Sequence, residues 1–146
     1  MSFLSSIDIS ASGLTAQRLR LDVISQNIAN VNTTRTEDGG PYRRKAVIFE
    51  EKKAQQPFSE VLSSSKQGQA SGGVRVSRIE EDASPFVMNY DPGHPDANEE
   101  GYVAMPNVNI VSEMVNMISA SRSYEANVTA MNAMKSMATK ALEIGR

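Results

Sequence analysis

Apolar side chains recur at alternating steps of three and four residues near both ends of the chain, whereas the middle has no such repeat. Near the N-terminus the repeat consists of Leu4, Ile7, Ala11, Leu14, Leu21 and Ile28, with Arg18 and Ser25 at the intervening positions. Near the C-terminus it consists of Ile110, Met114, Met117, Tyr124, Val128, Met131 and Leu142, with Ser121, Lys135 and Ala138 at the intervening positions. This spacing is that of a heptad seam, along which helices wrap around each other. The seam, as we call these residues, predicts two long helices that bring the ends of the chain together or offer them to neighbouring subunits as assembly surfaces.

Turn-forming and capping residues mark the limits of the two helices. The first helix is predicted over residues 4–31, before the turn formers that end in Asp38-Gly39-Gly40-Pro41. The second is predicted from about Asn109 to about Glu143, with Asn107 or Asn109 as the N-cap. Gly13 lies inside the first helix, where it indicates a tolerated small residue, a close approach of a second helix, or a hinge.

The C-terminal helix carries a second apolar stripe beside its seam. This stripe consists of Val111, Val115, Ile118, Met134, Met137 and Ala141. An apolar face that is wider than one seam indicates more than one neighbouring helix. Packing into a bundle or a tube would bury the second stripe, whereas a simple two-stranded coil would leave it in water.

The middle of the chain is rich in turn formers and contains only short strand patterns. Strands are predicted at residues 46–49, 74–79 and 86–88, with a strong turn at Asp91-Pro-Gly-His-Pro-Asp96. The stretch Ser63–Gly73 has almost no apolar content and reads as a flexible segment or a hairpin loop. The predicted fold is therefore mainly α, with residues 1–31 and 108–146 as a terminal-helix assembly domain and residues 32–107 as an irregular or β middle segment.

Composition and charge exclude several classes of function. Aromatic residues make up only 5% of the chain, so much of its apolar surface is expected on helices that need partners. The net charge is −2, and the one basic run, Arg43-Arg44-Lys45, is interpreted as a solvated face; no nucleic acid is expected as a partner. No stretch has the length and apolarity of a membrane-spanning helix, and the start of the chain lacks the basic region of a cleaved signal peptide.

The chain has few of the residue types that catalysis or metal binding requires. Cys is absent, and the only His, His94, lies among acidic residues in the Pro-rich turn. A metal-dependent enzyme built on His94 is one hypothesis, but a solvated loop explains the same residues, because the spacing matches no calcium loop and zinc hydrolases need further ligands. We therefore expect no catalytic residues, no bound metal and no cofactor.

Two signatures at the ends of the chain carry a resemblance to a known family. The N-terminal signature of bacterial flagellar rod and hook proteins resembles residues 12–23, Asn27-Ile-Ala-Asn30 and Asn32-Thr-Thr34. The C-terminal signature of that family is similar to residues 117–127, and central segments 34–36, 40–45, 91–97 and 101–108 resemble its proximal-rod members. The positions carried over, which we call the motif residues, are Asn27, Asn30, Asn32, Thr33, Arg122, Tyr124 and Asn127.

The resemblance implies a structural subunit of the basal-body rod of the bacterial flagellum. Such subunits leave the cell through the flagellar export apparatus without a cleaved signal peptide and polymerise into a helical shaft, which transmits torque and forms the export channel. The implied partners are further copies of the chain, other rod subunits, the export apparatus and the MS-ring adaptor. The alternative from a different class is a cytosolic helical adaptor or export chaperone, which would form a small folded oligomer.

Overall fold

In the described part of the chain, one long helix precedes four strands and a second long helix follows them. The computed structural model describes residues 3–37, 39–53 and 71–144. The elements in chain order are α1 (Phe3–Ala29), β1 (Lys45–Lys53), β2 (Ser71–Glu81), β3 (Val87–Tyr90), β4 (Tyr102–Met105) and α2 (Ile110–Ile144). The prediction of a mainly helical fold with a small β part is confirmed.

The capping residue predicted for α2 is present. The side-chain Oδ1 of Asn109 accepts a hydrogen bond of 3.0 Å from the backbone N–H of Ser112, and its carbonyl accepts one of 3.0 Å from the N–H of Glu113. These bonds satisfy N–H groups that have no partner within the helix. Asn109 is therefore the N-cap, which leaves the side chain of Asn107 for another role.

The strands form two antiparallel hairpins. β1 pairs with β2, and both are longer than the predicted segments 46–49 and 74–79. β3 pairs with β4, and the predicted turn at residues 91–96 lies in the loop between them. β4 was not predicted, because four residues bounded by a glycine and a proline give too short a pattern. Residues 63–70 of the Ser63–Gly73 stretch lie outside the described residues, and its last three begin β2.

α1 and α2 pack antiparallel to each other through small and polar side chains. Asn27 contacts Glu113 near one end of the contact, and Gly13 lies against Asn127 further along. A Cβ atom added to Gly13 would lie 3.1 Å from Oδ1 of Asn127, and α1 continues as a helix through this position. Gly13 therefore marks a close approach of two helices, and α1 runs through it without a break.

Several buried or contacting residues of the two helices lie one position before a seam position. These are Ser10, Gly13, Asn27, Glu113, Ala120 and Asn127, and α1 also buries Ala16, Val23 and Ile24. One position corresponds to about 100° around a helix. The described seam side chains accordingly flank these residues, half-buried or exposed, and the side chain of Leu4 lies outside the described residues. The role of the seam as an assembly surface, within the chain or between subunits, stays a prediction.

The β1–β2 hairpin lies along α1 and is attached at both of its ends. The backbone N–H and carbonyl of Lys45, at the start of β1, are hydrogen-bonded to the side chain of Asn27. Near the start of β2, the N–H of Val74 donates to Oγ of Ser12 at 3.1 Å. The neighbouring Gly73 has a φ of +95° and so little space that a Cβ atom would collide with the Ser12 side chain. A glycine is therefore required where β2 meets α1.

We expect Gly73→Ala to lower the free energy of unfolding of the full chain by about 1–3 kcal/mol, because a strained backbone conformation and a steric collision are combined. Gly40→Ala is the matched control, since no atom lies within 4 Å of its Cβ position. Urea unfolding monitored by circular dichroism measures both. Equal midpoints for the two variants would show that β2 does not need this contact.

Candidate assembly site

A fully buried amide side chain joins α1 to the start of β1 and to α2. Nδ2 of Asn27 donates to the carbonyl oxygen of Lys45 at 2.8 Å and to Oε2 of Glu113 at 2.9 Å. Oδ1 of Asn27 accepts from the backbone N–H of Lys45 at 2.9 Å and from the Tyr42 hydroxyl at 3.0 Å. These four bonds use both amide hydrogens and both lone pairs of the side chain, so no other residue type of this size satisfies the same partners.

The second buried group is the carboxylate of Glu113, which is paired with a guanidinium. Nε and Nη2 of Arg44 lie 2.9 and 2.8 Å from Oε1 of Glu113. The other oxygen, Oε2, accepts from Asn27, so each carboxylate oxygen has a strong donor. A buried carboxylate without such partners would be costly. We call Asn27, Tyr42, Arg44 and Glu113 the clasp.

Two further side chains connect the clasp to the end of β2 and to the segment before α2. Oδ1 of Asn107 accepts from the backbone N–H of Arg44 at 2.9 Å, and its Nδ2 donates to the carbonyl oxygen of Asp82 at 3.1 Å. Asp82 in turn lies 3.5 Å from Nη1 of Arg44. Hydrogen bonds from Ser84, together with Arg44, lower the pKa of Asp82 below its ordinary value. The clasp therefore gathers α1, β1, the end of β2 and α2 at one place.

The motif residues divide into two groups. Asn27, Asn30, Thr33 and Asn127 make contacts within the chain: Asn30 accepts from the Thr33 hydroxyl at 3.1 Å, and Asn127 lies against Gly13. Asn32, Arg122 and Tyr124 are exposed. The first group shapes the subunit, whereas the second is available to partners.

The interpretation of Arg43-Arg44-Lys45 as a solvated face is wrong. Arg44 belongs to the clasp, the Arg43 guanidinium lies 4.4 Å from the centre of the Phe86 ring, and the Lys45 ammonium lies 5.8 Å from that of Tyr42. Sequence reasoning also missed Glu113 and Asn107, because each looked like an ordinary residue near a helix start. One pattern in the sequence could have indicated this buried face of α2. Small or polar side chains follow one another on a single helix face at Glu113, Asn116, Ala120 and Asn127.

Large apolar side chains of α2 remain exposed in the single chain. From the second stripe these include Val111, Val115, Ile118 and Met137, and from the seam Ile110, Met114, Tyr124 and Leu142. Exposed apolar surface of this extent is typical of protein interaction sites. Burial of all this apolar surface would require contacts with neighbouring subunits.

The described residues hold no cluster of three or more His, Asp or Glu side chains that could bind a metal ion. His94 is part of its own loop, where Nδ1 accepts from the backbone N–H of Asp96 at 3.1 Å. Asp96 also accepts a hydrogen bond of 2.8 Å from the hydroxyl of Thr34. Within residues 3–37, 39–53 and 71–144, no helix combines the length and apolarity that crossing a membrane requires.

A helical layer with unpartnered apolar faces, tied by a buried clasp to a small β part, defines a subunit of a larger structural assembly. Residues 7–35 match the family described as flagella basal body rod protein, and residues 99–144 match the flagellar basal body rod FlgEFG protein C-terminal family. The chain belongs to the flagellar basal-body rod protein family.

Relatives cover almost the full length of the chain. The flagellar basal-body rod protein FlgC of Borreliella burgdorferi is 53% identical over 99% of this chain and 98% of its own. FlgC of Bacillus subtilis is 54% identical over 97% of each chain, and FlgC of Escherichia coli O6:H1 is 44% identical over the whole of both. The chain is thus a structural subunit of the flagellar basal-body rod that assembles with other rod subunits, and these relatives give no support to an adaptor or chaperone.

We expect Arg44→Met to lower the free energy of unfolding by about 3–5 kcal/mol, because the Glu113 carboxylate stays buried without its cation. The double variant Arg44→Met, Glu113→Met should lose less than the sum of the two single variants. Arg75→Met is the control, since its ion pair with Glu50 is exposed and contributes at most about 1 kcal/mol. Additive losses in urea unfolding would contradict coupling within the clasp.

The clasp also predicts a loss of stability at alkaline pH. Burial, and then the charges of Glu81 and Glu113, raise the pKa of Tyr42 above its ordinary 10.0. The folded chain therefore holds this proton more tightly than the unfolded chain, and the resulting stability is lost as the pH rises from about 10 through the folded-state pKa. Unfolding free energies measured at intervals from about pH 8 to about pH 11 should converge for wild type and Tyr42→Phe as the pH rises. Parallel curves would contradict this.

Proposed function

We propose that this rod subunit polymerises with further copies of itself and with other rod proteins into a helical shaft that transmits torque and encloses the export channel. The observation that carries this proposal is the exposed apolar surface of α2 in a chain that resembles rod proteins over its full length. A polymer whose subunits bury such surface against one another is held by many contacts at once, which suits a shaft under load.

The parts of the chain have separate tasks in this proposal. The seam residues of α1 and α2 and the second stripe pack against neighbouring subunits in the rod. The clasp fixes the strands of the middle segment to that layer, so that force passes between them through buried, charge-assisted hydrogen bonds. The motif residues Arg122 and Tyr124, which are exposed in the single chain, contact neighbours.

The proposal also covers the chemistry of the subunit and its route to the rod. The subunit acts without catalysis, without a metal and without a cofactor, and it binds no nucleic acid. It leaves the cell through the flagellar export apparatus with no cleaved signal peptide, and it contacts the MS-ring adaptor as well as other rod subunits. Helices that cannot bury their apolar faces alone are compatible with export before final folding.

Single substitutions on the seam test this proposal. We expect Leu21→Asp and Val128→Asp each to abolish rod assembly and motility, because a charge would be buried without a partner between subunits. Asn132→Asp is the matched control, since it adds the same charge to an exposed polar position of α2. Motility and electron microscopy of purified basal bodies measure the outcome. Wild-type motility with both seam variants would show that these positions face solvent in the rod and would overturn the proposal.

A further inference from the structure

The outward surface of α2 just after the clasp combines three apolar side chains with one cation. Val111, Val115, Ile118 and Arg122 follow one another at steps of four, three and four residues, so they form one stripe along the helix. The three apolar side chains are 54–71% exposed. Within the described part of the chain, the guanidinium of Arg122 has no hydrogen bond or ion pair. We call these four residues the α2 stripe.

The β3–β4 hairpin offers a second exposed surface with the opposite charge. In the strand register Met88 faces Ala104 and Tyr90 faces Tyr102, so these side chains share one face of the hairpin. The opposite face carries Val103, which is buried. Met88, Tyr90 and Tyr102 are 40–64% exposed, and the rings of the two tyrosines contact edge to face with centroids 5.3 Å apart.

The loop that joins the two strands of this hairpin is acidic. Glu99 and Glu100 lie in it, and neither carboxylate has a partner in the part of the chain that the structure describes. Asp96, in the same loop, already accepts from Thr34, an attachment that helps to hold the loop in place. The hairpin therefore shows an apolar face of Met88, Tyr90 and Tyr102 beside unpaired negative charges.

The two surfaces are complementary in size, polarity and charge. The α2 stripe is about 16 Å long from Val111 to Arg122 at a rise of about 1.5 Å per residue. A four-residue strand extends over about 13 Å. If the apolar parts are laid together, Arg122 at one end of the stripe can meet Glu99 and Glu100 in the loop. Met and Tyr are enriched at protein interfaces, and Arg is as well.

We propose that the β3–β4 hairpin of one copy of this chain docks on the α2 stripe of the next copy. This inference rests on the proposed function as a polymerising rod subunit and names one contact of the polymer. The two surfaces are different, so the contact is heterologous: each copy offers a hairpin to one neighbour and a stripe to another. Heterologous contacts that do not close into a ring generate open helical filaments, which is the symmetry that a rod requires.

Disulfide cross-linking tests the proposal directly, because the chain has no cysteine of its own. The variant Tyr90→Cys, Val115→Cys is introduced into the flagellated cell, and purified basal bodies are oxidised. We expect a ladder of covalent dimers, trimers and longer species of this chain, since every copy carries both thiols. Tyr90→Cys with Leu142→Cys is the matched control, since Leu142 is exposed but lies at the far end of α2, and it should give no ladder.

The single variants separate this contact from other arrangements. Tyr90→Cys alone and Val115→Cys alone should each stay monomeric under oxidation. Dimers from either single variant would indicate a symmetric contact and would overturn the proposal. No cross-linked species from the double variant in rods that assemble would overturn it as well, because the hairpin and the stripe of neighbouring copies would then not meet.

Charge reversal tests the polar end of the contact. We expect Arg122→Glu, and separately Glu99→Lys with Glu100→Lys, to reduce the yield of assembled rods at least tenfold. All three substitutions together should restore most of the yield, whereas Arg35→Glu in place of Arg122→Glu should give no rescue. If the wild-type chain forms rods in the same experiment and the triple variant does not restore the rod yield, the docking contact is overturned. The proposed function would fail separately, if rods assembled with both seam variants Leu21→Asp and Val128→Asp.

Discussion

Glu113 carries a carboxylate at a position without access to water, and the arrangement of four segments follows from the need to pair it. An unpaired buried carboxylate would cost several kcal/mol, so Arg44 must reach Oε1 and Asn27 must reach Oε2. Arg44 is itself held by Asn107 and Asp82. α1, β1, the end of β2 and the start of α2 therefore meet at one place, and moving any one of them leaves a buried polar group without its partner.

The same constraint explains why the large apolar side chains lie outside the contact between the helices. Asn27 with Glu113, and Gly13 with Asn127, require the two helices to approach closely, and only small or compact polar residues fit there. Most Leu, Ile and Met side chains are thereby left to flank the contact or to point outward, whereas Val23 and Ile24 of α1 are buried. Much of the apolar surface of α2 is consequently exposed in the single chain, where it is available to neighbouring subunits.

Sequence reasoning predicted the two long helices and three of the four strands, because periodicity over many residues is a strong signal. It did not find the small and polar residues that are buried where the helices approach, because hydrophobic patterns follow large side chains, whereas Ser10, Ala16, Asn27 and Ala120 are not large and apolar. It named Asn27 through resemblance but not its partners, since Arg44 and Glu113 are far apart in the chain. A buried ion pair between distant residues leaves no periodic trace, and only the fold shows which charges meet.

The clasp and the proposed hairpin contact depend on each other in a rod. The clasp fixes the first turns of α2, which carry the α2 stripe, and Asn107 connects those turns to the chain beside β3 through the carbonyl oxygens of Asp82 and Ser84. β4 leads into α2 within a few residues, and the hydrogen bond from Thr34 to Asp96 attaches the hairpin loop, so the movement of hairpin and stripe relative to each other is limited. A heterologous contact between two surfaces held in this way imposes the same rotation and rise at each step. A buried carboxylate inside one subunit would thus help to set the geometry of the whole shaft.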